Sequence, residues 1–311
     1  MGFRELRRAG VLGMNGRNLR YIAPYNSRRF YPRVDDKLRT KILAQEAGIA
    51  VPELYAVIEF QWQVPHLSQF FEGRHDFVLK PVHGSGGNGI LVIAGRRREW
   101  FIKASGAPLN LDALGHHVSN TLSGLYSLGG QPDRVLVEYR VKVAPQFESV
   151  SYGGVPDVRT LVFRGVPVMA MLRLPTSRSD GKANLHQGAV GAGIDLATGR
   201  TIRAIQGNNP VDEHPDTFAP LTGFEVPEWH RLLSLAASCY EISGLGYLGV
   251  DFVFDRDQGP MMLEMNARPG LSIQLANRAG LIHRLDIVER EADPAWDTRA
   301  RVSFAQERFA A

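Results

Sequence analysis

Three oxygen-bearing side chains lie in two neighbouring apolar runs of this sequence. Asp251 lies in the first run, and Glu264 and Asn266 lie in the second. The residues between the runs, 255–260, are rich in turn formers, which predicts a single antiparallel hairpin. Because side chains alternate along a strand, Glu264 and Asn266 share one face. The polar side chains are therefore concentrated on one hairpin.

The pairing of the two strands brings the acids together. If Phe254 pairs with Met261 across the turn, Asp251 lies directly opposite Glu264. Neighbouring carboxylates repel each other, and burying them uncompensated is costly. A hard divalent cation removes that cost, and Mg²⁺ prefers oxygen ligands of this kind. Either acid alone is best interpreted as a surface residue, but the pair favours a magnesium site. We expect the apolar face of the hairpin to preserve the fold if either acid is replaced.

A glycine-rich segment at 84–89 follows a short apolar run that carries Lys80. The segment fits G-x-G-x-x-G, but a dinucleotide fold requires a helix to begin there. A second apolar run, 90–93, follows instead, which predicts a glycine-rich β-hairpin whose backbone N–H groups could bind phosphate. The alternative is a flexible surface turn. P-loop and protein-kinase motifs do not occur in the sequence.

Composition and charge exclude several classes. The chain has 311 residues, of which 44% are hydrophobic and 22% charged, as in ordinary soluble globular proteins. Its net charge of +4 is too small to argue for nucleic acid. The single cysteine, Cys239, excludes an internal disulfide and a multi-cysteine zinc site. We find neither a signal-peptide core nor a membrane-spanning run, so we expect a cytoplasmic protein.

Hydrophobic periodicity and the positions of helix-capping and turn-forming residues divide the chain into four parts. They are an irregular N-terminal arm (1–36), a helix with a small α+β lobe (37–145), a larger lobe (146–288) and a C-terminal tail (289–311). The predicted strands are 77–81, 90–93, 135–139, 158–163, 167–173 and the hairpin, and the predicted helices are 35–48, 110–125, 228–243 and a closing helix at 271–285. Two interpretations of the arm remain open. It packs across the larger lobe through its Tyr and Phe side chains, or Asn15, Arg17 and Asn18 reach a substrate cleft.

The combination of these motifs resembles the ATP-grasp superfamily and, within it, the RimK-like alpha-L-glutamate ligases. The positions that carry the resemblance are Lys37, Lys80, Glu138, Asp157-Val158-Arg159, Arg173, Asn184-Leu185-His186-Gln187-Gly188 and the hairpin with Asp251, Glu264 and Asn266. Two features depart from that pattern. Only 36 residues precede Lys37, where the family usually has a full α/β domain, and Arg268 stands where a small residue is more common. The segment 14–18 is similar to a glutamate-ligase-like branch of the superfamily.

The resemblance implies an α+β (α/β) ATP-grasp fold in which two α+β lobes clamp ATP. It implies an ADP-forming carboxylate–amine ligase that makes an amide through an acyl phosphate, adding glutamate or a similar amino acid to a peptide, protein or small molecule. The alternatives are ligation of a different carboxylate, such as a D-amino acid or a peptide, and a nucleotide-binding scaffold without turnover. The expected partners are the carboxylate and an amine acceptor, with no nucleic acid and no membrane span, and self-association is left open.

The resemblance also assigns residues to roles. The expected cofactors are ATP and Mg²⁺, with Mn²⁺ as an alternative. The metal would be held by Asp251, Glu264 and Asn266. The nucleotide would be bound by Lys37, Lys80, Gly84, Ser85, Gly86, Gly87, Gly89, Glu138, Tyr139, Arg140, Val141 and Asp157, with Glu148 as an alternative to Asp157. The carboxylate and acyl phosphate would be bound by Arg159, Arg173, Lys182 and Arg268. Substrate would be oriented by Asn184 and His186 and, in the second interpretation of the arm, by Asn15, Arg17 and Asn18.

Overall fold

The computed structural model describes residues 3–84 and 86–311, and the chain forms two compact units. Unit 1 comprises Met1–Asp35, Arg39–Ala50 and Val143–Ala311, and unit 2 comprises Asp36–Leu38 and Val51–Lys142. The α-helices of the described residues are α1 (Phe3–Arg8), α2 (Met14–Gly16), α3 (Ala23–Tyr25), α4 (Pro32–Asp35), α5 (Lys37–Glu46), α6 (Leu111–Leu122), α7 (Trp229–Ser243), α8 (Ile273–Asn277), α9 (Ile282–Glu291) and α10 (Thr298–Arg308). None of the helices in the described part of the chain is long and apolar enough to span a membrane.

Unit 2 is built on one antiparallel sheet. Its strands are β1 (Leu54–Ile58), β2 (Phe77–Pro81), β3 (Leu91–Arg97), β4 (Trp100–Lys103), β5 (Pro108–Leu109) and β6 (Val135–Glu138). They lie in the order β1-β6-β2-β3-β4-β5. Phe77 and Leu79 of β2 share a buried core with Leu114 of α6. Asn110 is the N-cap of α6, and its side chain accepts a hydrogen bond from the Ala113 N–H in the first turn.

The glycine-rich loop joins β2 to β3. Phe77 pairs with Ile93 and Leu79 with Leu91, so the two strands are antiparallel neighbours. The predicted glycine-rich hairpin is therefore confirmed. Its last glycine, Gly89, has φ +75°, and a Cβ there would lie 2.6 Å from the ring of Tyr126. Only glycine fits this end of the loop without displacing the tyrosine.

Unit 1 contains a seven-stranded antiparallel sheet. Its strands are β7 (Asp157–Phe163), β8 (Val166–Leu174), β9 (Val190–Ile194), β10 (Thr201–Gln206), β11 (Asn209–Val211), β12 (Tyr247–Asp255) and β13 (Gly259–Asn266), in the order β11-β10-β9-β8-β7-β12-β13. The strand β12 is buried along its whole length. The helix α7 presents the fully buried Leu232, Leu233 and Ala236 to this core.

A β-bulge sets the register of the β12–β13 hairpin. Phe254 pairs with Pro260, so the predicted pairing of Phe254 with Met261 is wrong by one residue. The register shifts between Phe252 and Asp251, because β13 inserts one extra residue there. The shift restores the predicted pairing of Asp251 with Glu264, which is confirmed. A bulge re-aims side chains, and here it brings the two acids opposite each other.

The N-terminal segment is helical rather than irregular. It contains a π-helix, Arg17–Ile22, and a 3-10 helix, Arg28–Phe30, in addition to its short α-helices. Tyr21 is fully buried and packs edge-on against Phe163, with ring centroids 5.5 Å apart. Of the two interpretations of this arm, aromatic packing across the larger sheet is therefore observed.

Asn26 fastens the same segment to the hairpin. Its side-chain Nδ2 donates to the carbonyl oxygens of Tyr247 at 2.7 Å and Ala267 at 3.1 Å, and its Oδ1 accepts from the Tyr247 N–H at 2.8 Å. Asn26 is only 3% exposed. Its side chain therefore completes the backbone hydrogen bonding where β12 begins and β13 has ended.

Two further differences concern the second half of the chain. The predicted closing helix at 271–285 is interrupted, because α8 ends at Asn277, its C-cap Arg278 adopts the left-handed conformation, and α9 begins at Ile282. The strands β9–β11 were not predicted, since the glycines around Gly191 and Gly193 hide the strand pattern. Within the expected tail, α10 buries Val302 completely.

Candidate active site

The hairpin of unit 1 places its three oxygen donors in different surroundings. Asp251 is 1% exposed, whereas the Glu264 side chain is 36% exposed. Asn266 Nδ2 donates to Glu264 Oε1 at 3.1 Å, as expected for residues on one face of a strand. Glu264 and Asn266 thus form a solvent-accessible pair beside the buried Asp251.

Asp251 belongs to a buried cluster of charges on three adjacent strands. Arg159 on β7 pairs in register with Asp251 on β12, and Arg173 on β8 pairs in register with Asp157 on β7. Arg159 donates from Nε to Asp251 Oδ1 at 2.7 Å and from Nη2 to Oδ2 at 2.5 Å. Arg173 donates from Nη2 to Asp251 Oδ2 at 2.7 Å and holds Asp157 with two further bonds, at 2.5 and 2.6 Å. Two arginines and two aspartates therefore neutralise one another on one face of the sheet.

The cluster separates the pKa values of the two aspartates. Burial alone would raise the pKa of Asp251, but the attraction of Arg159 and Arg173 outweighs it and lowers the pKa to about 2. Burial raises the pKa of Asp157 to about 7, with Arg173 opposing the increase and the charge of Asp251 adding to it. The same two acids raise the pKa of Arg173 against the effect of burial. Asp251 is thus the permanent negative charge, and Asp157 is the carboxyl that can gain a proton near neutral pH.

The donor set fits a magnesium ion in part. Three guanidinium N–H groups use three of the four lone pairs of the Asp251 carboxylate, which leaves one acceptor position on Oδ1. Glu264 and Asn266 supply hard oxygen donors at an accessible position. No group of three or more His, Cys, Asp or Glu side chains suited to a metal occurs among residues 3–84 and 86–311. Glu264 and Asn266 are therefore the better-placed ligands, with Asp251 limited to its one remaining lone pair.

Unit 2 brings Lys80 and Glu138 together. Lys80 is 7% exposed, and its Nζ lies 2.6 Å from Glu138 Oε1. Side chains alternate along β2, so Lys80 lies on the face opposite to Leu79, away from the hydrophobic core. Glu138 is on the neighbouring strand β6, where it pairs in register with Val78. A charged lysine is thus fixed on the polar face of this sheet by a carboxylate.

Lys37 stands at the base of the glycine-rich loop. Its Nζ donates to the Gly84 carbonyl oxygen and, at 3.4 Å, to that of Val82. Gly86, Gly87 and Gly89 all have positive φ angles. Ser85 lies outside the described residues. The two predicted phosphate-binding lysines therefore belong to one unit, together with the glycines of the loop.

Asp133 is a residue of this region that the sequence did not reveal. Its carboxylate accepts hydrogen bonds from the backbone N–H groups of His83 and Arg134 and from Ser127 Oγ. Burial raises the pKa of Asp133, but the bonds from Ser127 and these N–H groups outweigh it and lower the pKa. Asp133 therefore fixes the backbone where the glycine-rich loop begins. No sequence motif marks it.

The segment after β6, expected to contact adenine, makes contacts within unit 2. The Tyr139 N–H donates to the Glu53 carbonyl oxygen at 2.8 Å. Arg140 Nη1 lies 3.2 Å from Asp76 Oδ2, and burial lowers the pKa of this arginine. Val141 is 9% exposed. These residues follow β6 without belonging to a strand.

The remaining predicted residues of unit 1 are distributed over its surface. Lys182 and His186 are exposed, and Asn184 Oδ1 accepts from the His186 N–H at 3.0 Å. Arg268 is exposed and stacks over the Tyr31 ring at 4.6 Å. Among the described residues no acidic side chain forms an ion pair with Arg268. Within the described part of the chain, Arg268 therefore forms no ion pair with Glu264, its neighbour on the hairpin.

The polar residues of the N-terminal segment differ in burial. Arg17 is 8% exposed and donates from Nη1 to the Pro269 carbonyl oxygen at 2.8 Å and from Nη2 to Asn18 Oδ1 at 2.9 Å. Asn15 and Asn18 are exposed. Arg17 thus holds the turn that follows the hairpin.

Glu148, the alternative to Asp157 for binding the nucleotide, is exposed, and its Oε1 lies 3.5 Å from Arg256 Nη2.

Comparisons with known proteins identify one family and several solved structures of low sequence identity. The model of the family described as "Sugar-transfer associated ATP-grasp" matches residues 16–290. No curated protein matches the sequence. The ATP-grasp ligase PsnB complexed with minimal precursor is 16% identical, with a TM-score of 0.48, and the match covers 86% of this chain and 63% of that chain.

Two further solved structures have similar scores. D-cycloserine synthetase DcsG is 15% identical with a TM-score of 0.42, over 90% of this chain and 71% of that chain. The D-alanine–D-alanine ligase from Bacillus anthracis, complexed with ATP, is 14% identical with a TM-score of 0.43, over 90% and 68%. The chain spans between 61% and 63% of the length of the PsnB structures.

Proposed function

The chain belongs to the sugar-transfer associated ATP-grasp family, and on that premise we propose that it is an ATP-dependent, ADP-forming carboxylate–amine ligase. In this reaction a carboxylate oxygen attacks the γ-phosphorus of ATP, and the bond to the β-phosphate oxygen breaks, so that ADP leaves and an acyl phosphate forms. An amine nitrogen then attacks the acyl carbon, and phosphate leaves as the amide forms. The observation that carries the proposal is the hairpin register, which sets Asp251 opposite Glu264 with Asn266 beside them.

Unit 2 supplies the groups proposed for the nucleotide. Lys80 is a fixed positive charge on the polar face of the sheet, and Lys37 and the glycine-rich loop share the same unit. Lysine binds phosphate as a point charge, and glycine allows backbone N–H groups to approach closely. In this proposal ATP phosphates attract Lys80 in competition with Glu138, which would contact the adenine amino group.

Mg²⁺ would be held by Glu264 and Asn266, with the remaining lone pair of Asp251 as a third donor. When bound, the ion neutralises charge that develops on the phosphate oxygens. Arg159 spans the gap between these donors, since its Nη2 lies 2.5 Å from Asp251 Oδ2 and 3.9 Å from Glu264 Oε1. It is therefore the cation of the cluster placed to interact with a carboxylate or an acyl phosphate.

The carboxylate substrate is proposed to be glutamate or a similar amino acid, as in the RimK-like ligases that the sequence resembles. The proposed substrate contacts are Lys182, His186 and Arg268, which are exposed, and Asn184, which is partly buried. An arginine can bind a carboxylate through two parallel hydrogen bonds, which lysine cannot imitate. Peptides and D-amino acids are the other carboxylates consistent with such contacts.

One observation favours a second function, a nucleotide-binding scaffold without turnover. Asp251 accepts hydrogen bonds from two arginines. A metal ion there could therefore use only the one remaining lone pair of this carboxylate. Such a scaffold would bind ATP and release no ADP.

ADP release distinguishes these functions. The purified protein is incubated with ATP and Mg²⁺ over a panel of L- and D-amino acids and peptides, and products are identified by mass spectrometry. A ligase releases ADP over many turnovers only when carboxylate and amine are both present, and the product mass equals the sum of the two substrates less one water. ATP binding by calorimetry without ADP release over the whole panel would favour the scaffold.

A further inference from the structure

A compact loop at residues 212–221 of unit 1, which we call the brace loop, has no role in the proposed chemistry. The Leu221 N–H donates to the Asp212 carbonyl oxygen and the His214 N–H to that of Ala219, each at 2.9 Å. Phe218 lies near its tip, 73% exposed, in the left-handed conformation with φ +60°. A bulky residue in that conformation requires a well-fixed surrounding backbone.

His214 links the brace loop to another segment. It is fully buried. Its Nδ1 accepts hydrogen bonds from the N–H groups of Asp216 at 3.2 Å and Thr217 at 3.3 Å, which places the ring proton on Nε2. Nε2 donates to the Pro175 carbonyl oxygen at 2.9 Å. One imidazole thus closes its own turn and binds a neighbouring chain segment.

Asp216 makes a second link to the same segment. Its Oδ2 accepts from the Ser177 N–H at 2.9 Å, and its Oδ1 accepts from Ser177 Oγ. A carboxylate that accepts a backbone N–H and a hydroxyl from one residue fixes the orientation of that residue. Pro175 and Ser177 are therefore both held from the brace loop.

The segment that is held, residues 175–188, carries the proposed substrate contacts. It begins two residues after Arg173 of the buried charge cluster and contains Lys182, Asn184 and His186. Thr176 Oγ1 donates to the Gly188 carbonyl oxygen at 3.0 Å, which draws the two ends of the segment together. The brace loop thus fixes the end at which the segment leaves the cluster.

We propose that His214 and Asp216 are positioning residues that hold segment 175–188 in the conformation required for the carboxylate or amine substrate. The inference rests on the proposed function, because that function assigns the substrate contacts to this segment. Neither residue touches the reacting atoms in this account. Their effect passes through Pro175 and Ser177.

Substitution of His214 can separate the link from the stability of the brace loop. In His214→Asn, the shorter side chain keeps an oxygen that accepts from the backbone N–H groups two and three residues ahead, but it cannot reach Pro175. Asp216→Asn keeps the shape of the side chain but retains only one acceptor oxygen, so it cannot accept both bonds from Ser177 as the carboxylate does. Glu225→Gln is the matched control, since Glu225 forms an exposed ion pair with Arg200.

Hydrogen–deuterium exchange of the whole protein tests the link without any substrate. We expect amide exchange in residues 176–188 to be about tenfold faster in His214→Asn and Asp216→Asn, and unchanged in Glu225→Gln. If His214→Asn fails to fold, Asp216→Asn alone decides the outcome. Unchanged exchange in this segment in the folded variants would overturn the proposal.

Kinetics with a substrate pair found in the ADP-release screen then test positioning. We expect the KM for the carboxylate or amine substrate to rise about tenfold in the two variants, with the KM for ATP within twofold of wild type. An equal rise in both KM values would refute a specific positioning role. If the wild-type protein releases no ADP with any substrate pair, the proposed function fails, and the exchange measurement still decides whether the brace exists.

Discussion

Replacing Asp251 by Asn should destabilise the protein strongly as well as abolish ADP production. The carboxylate is 1% exposed and accepts three hydrogen bonds from Arg159 and Arg173. The difference between its ordinary pKa of 3.8 and about 2 in the folded protein corresponds to about 2 kcal/mol in favour of the charged form. This contribution is present above pH 3.8 and is lost as the pH falls through about 2.

The asparagine variant loses more than this contribution. It leaves two largely buried guanidinium groups with one fewer negative charge, and breaking a buried pair typically costs about 3–5 kcal/mol. For a domain of 150–250 residues, that cost corresponds to a decrease in Tm of roughly 10 °C. The sequence alone suggested that either acid could be replaced without harm to the fold, and the structure limits that expectation to Glu264.

Glu264→Gln is the matched control. Its side chain is 36% exposed and lies 3.9 Å from Arg159, so its loss should cost less than about 1 kcal/mol. Scanning calorimetry of both variants at pH 7 measures the difference, and ADP release on the same preparations measures activity. We expect both to lose ADP production, with only Glu264→Gln remaining as stable as wild type. An Asp251→Asn protein that melts within about 2 °C of wild type would refute the stabilising role of the charge cluster.

The remaining predictions concern the protonation of Asp157, the role of Lys80 and the close contact between Gly154 and Gly181. The raised pKa of Asp157, about 7, means that the folded state favours its protonated form, so its contribution to stability is lost as the pH rises from 3.8 through about 7. Urea unfolding of Asp157→Asn across this range should show a smaller decline, and an unaltered pH dependence would contradict it. Lys80→Met should weaken ATP binding in calorimetry and leave Glu138 without its 2.6 Å partner, so unchanged ATP affinity would remove Lys80 from the phosphates. Gly154→Ala should lower Tm by several degrees and displace the loop at Gly181, because a Cβ at 154 would lie 1.8 Å from the Gly181 carbonyl oxygen; an unaltered Tm would show that this loop yields freely.

The hairpin shows how far sequence patterns can be trusted. The turn-former count predicted two paired strands, and the pairing of Asp251 with Glu264 was correct. The register counted from the turn was wrong by one residue, since Phe254 pairs with Pro260. The β-bulge between Phe252 and Asp251 restores the pairing of the two acids. A bulge adds a residue without a sequence signal of its own, so strand register counted from a turn alone is unreliable.

The partners of Asp251 lay beyond such reasoning. Arg159 and Arg173 are 92 and 78 residues away in the chain, and only the order of β8, β7 and β12 in the sheet makes them neighbours. The family resemblance named Arg159, Arg173 and Asp251 but assigned each a separate role. Strand order decides which charges neutralise each other, and periodicity within one strand cannot supply it.

The correct local predictions depend on residues that are close together in the sequence. The β2–β3 hairpin was predictable because an apolar run follows the glycines directly, which excludes a helix start. The helical N-terminal segment was missed because its stability depends on tertiary contacts, such as that of Tyr21 with Phe163. A 3.6-residue period is not visible in helical turns as short as these.

The anchoring of the N-terminal segment has a practical consequence for recombinant production. Asn26 closes hydrogen bonds with Tyr247 and Ala267, and Tyr21 fills space between the rings of Phe163 and Tyr247. A chain trimmed to start near Asp36 would uncover aromatic surface on the larger sheet and leave backbone groups at the start of β12 without their protein partner. Such a shortened protein should precipitate on expression. An affinity tag attached ahead of α1 leaves these contacts intact, since residues 4–8 of that helix are exposed.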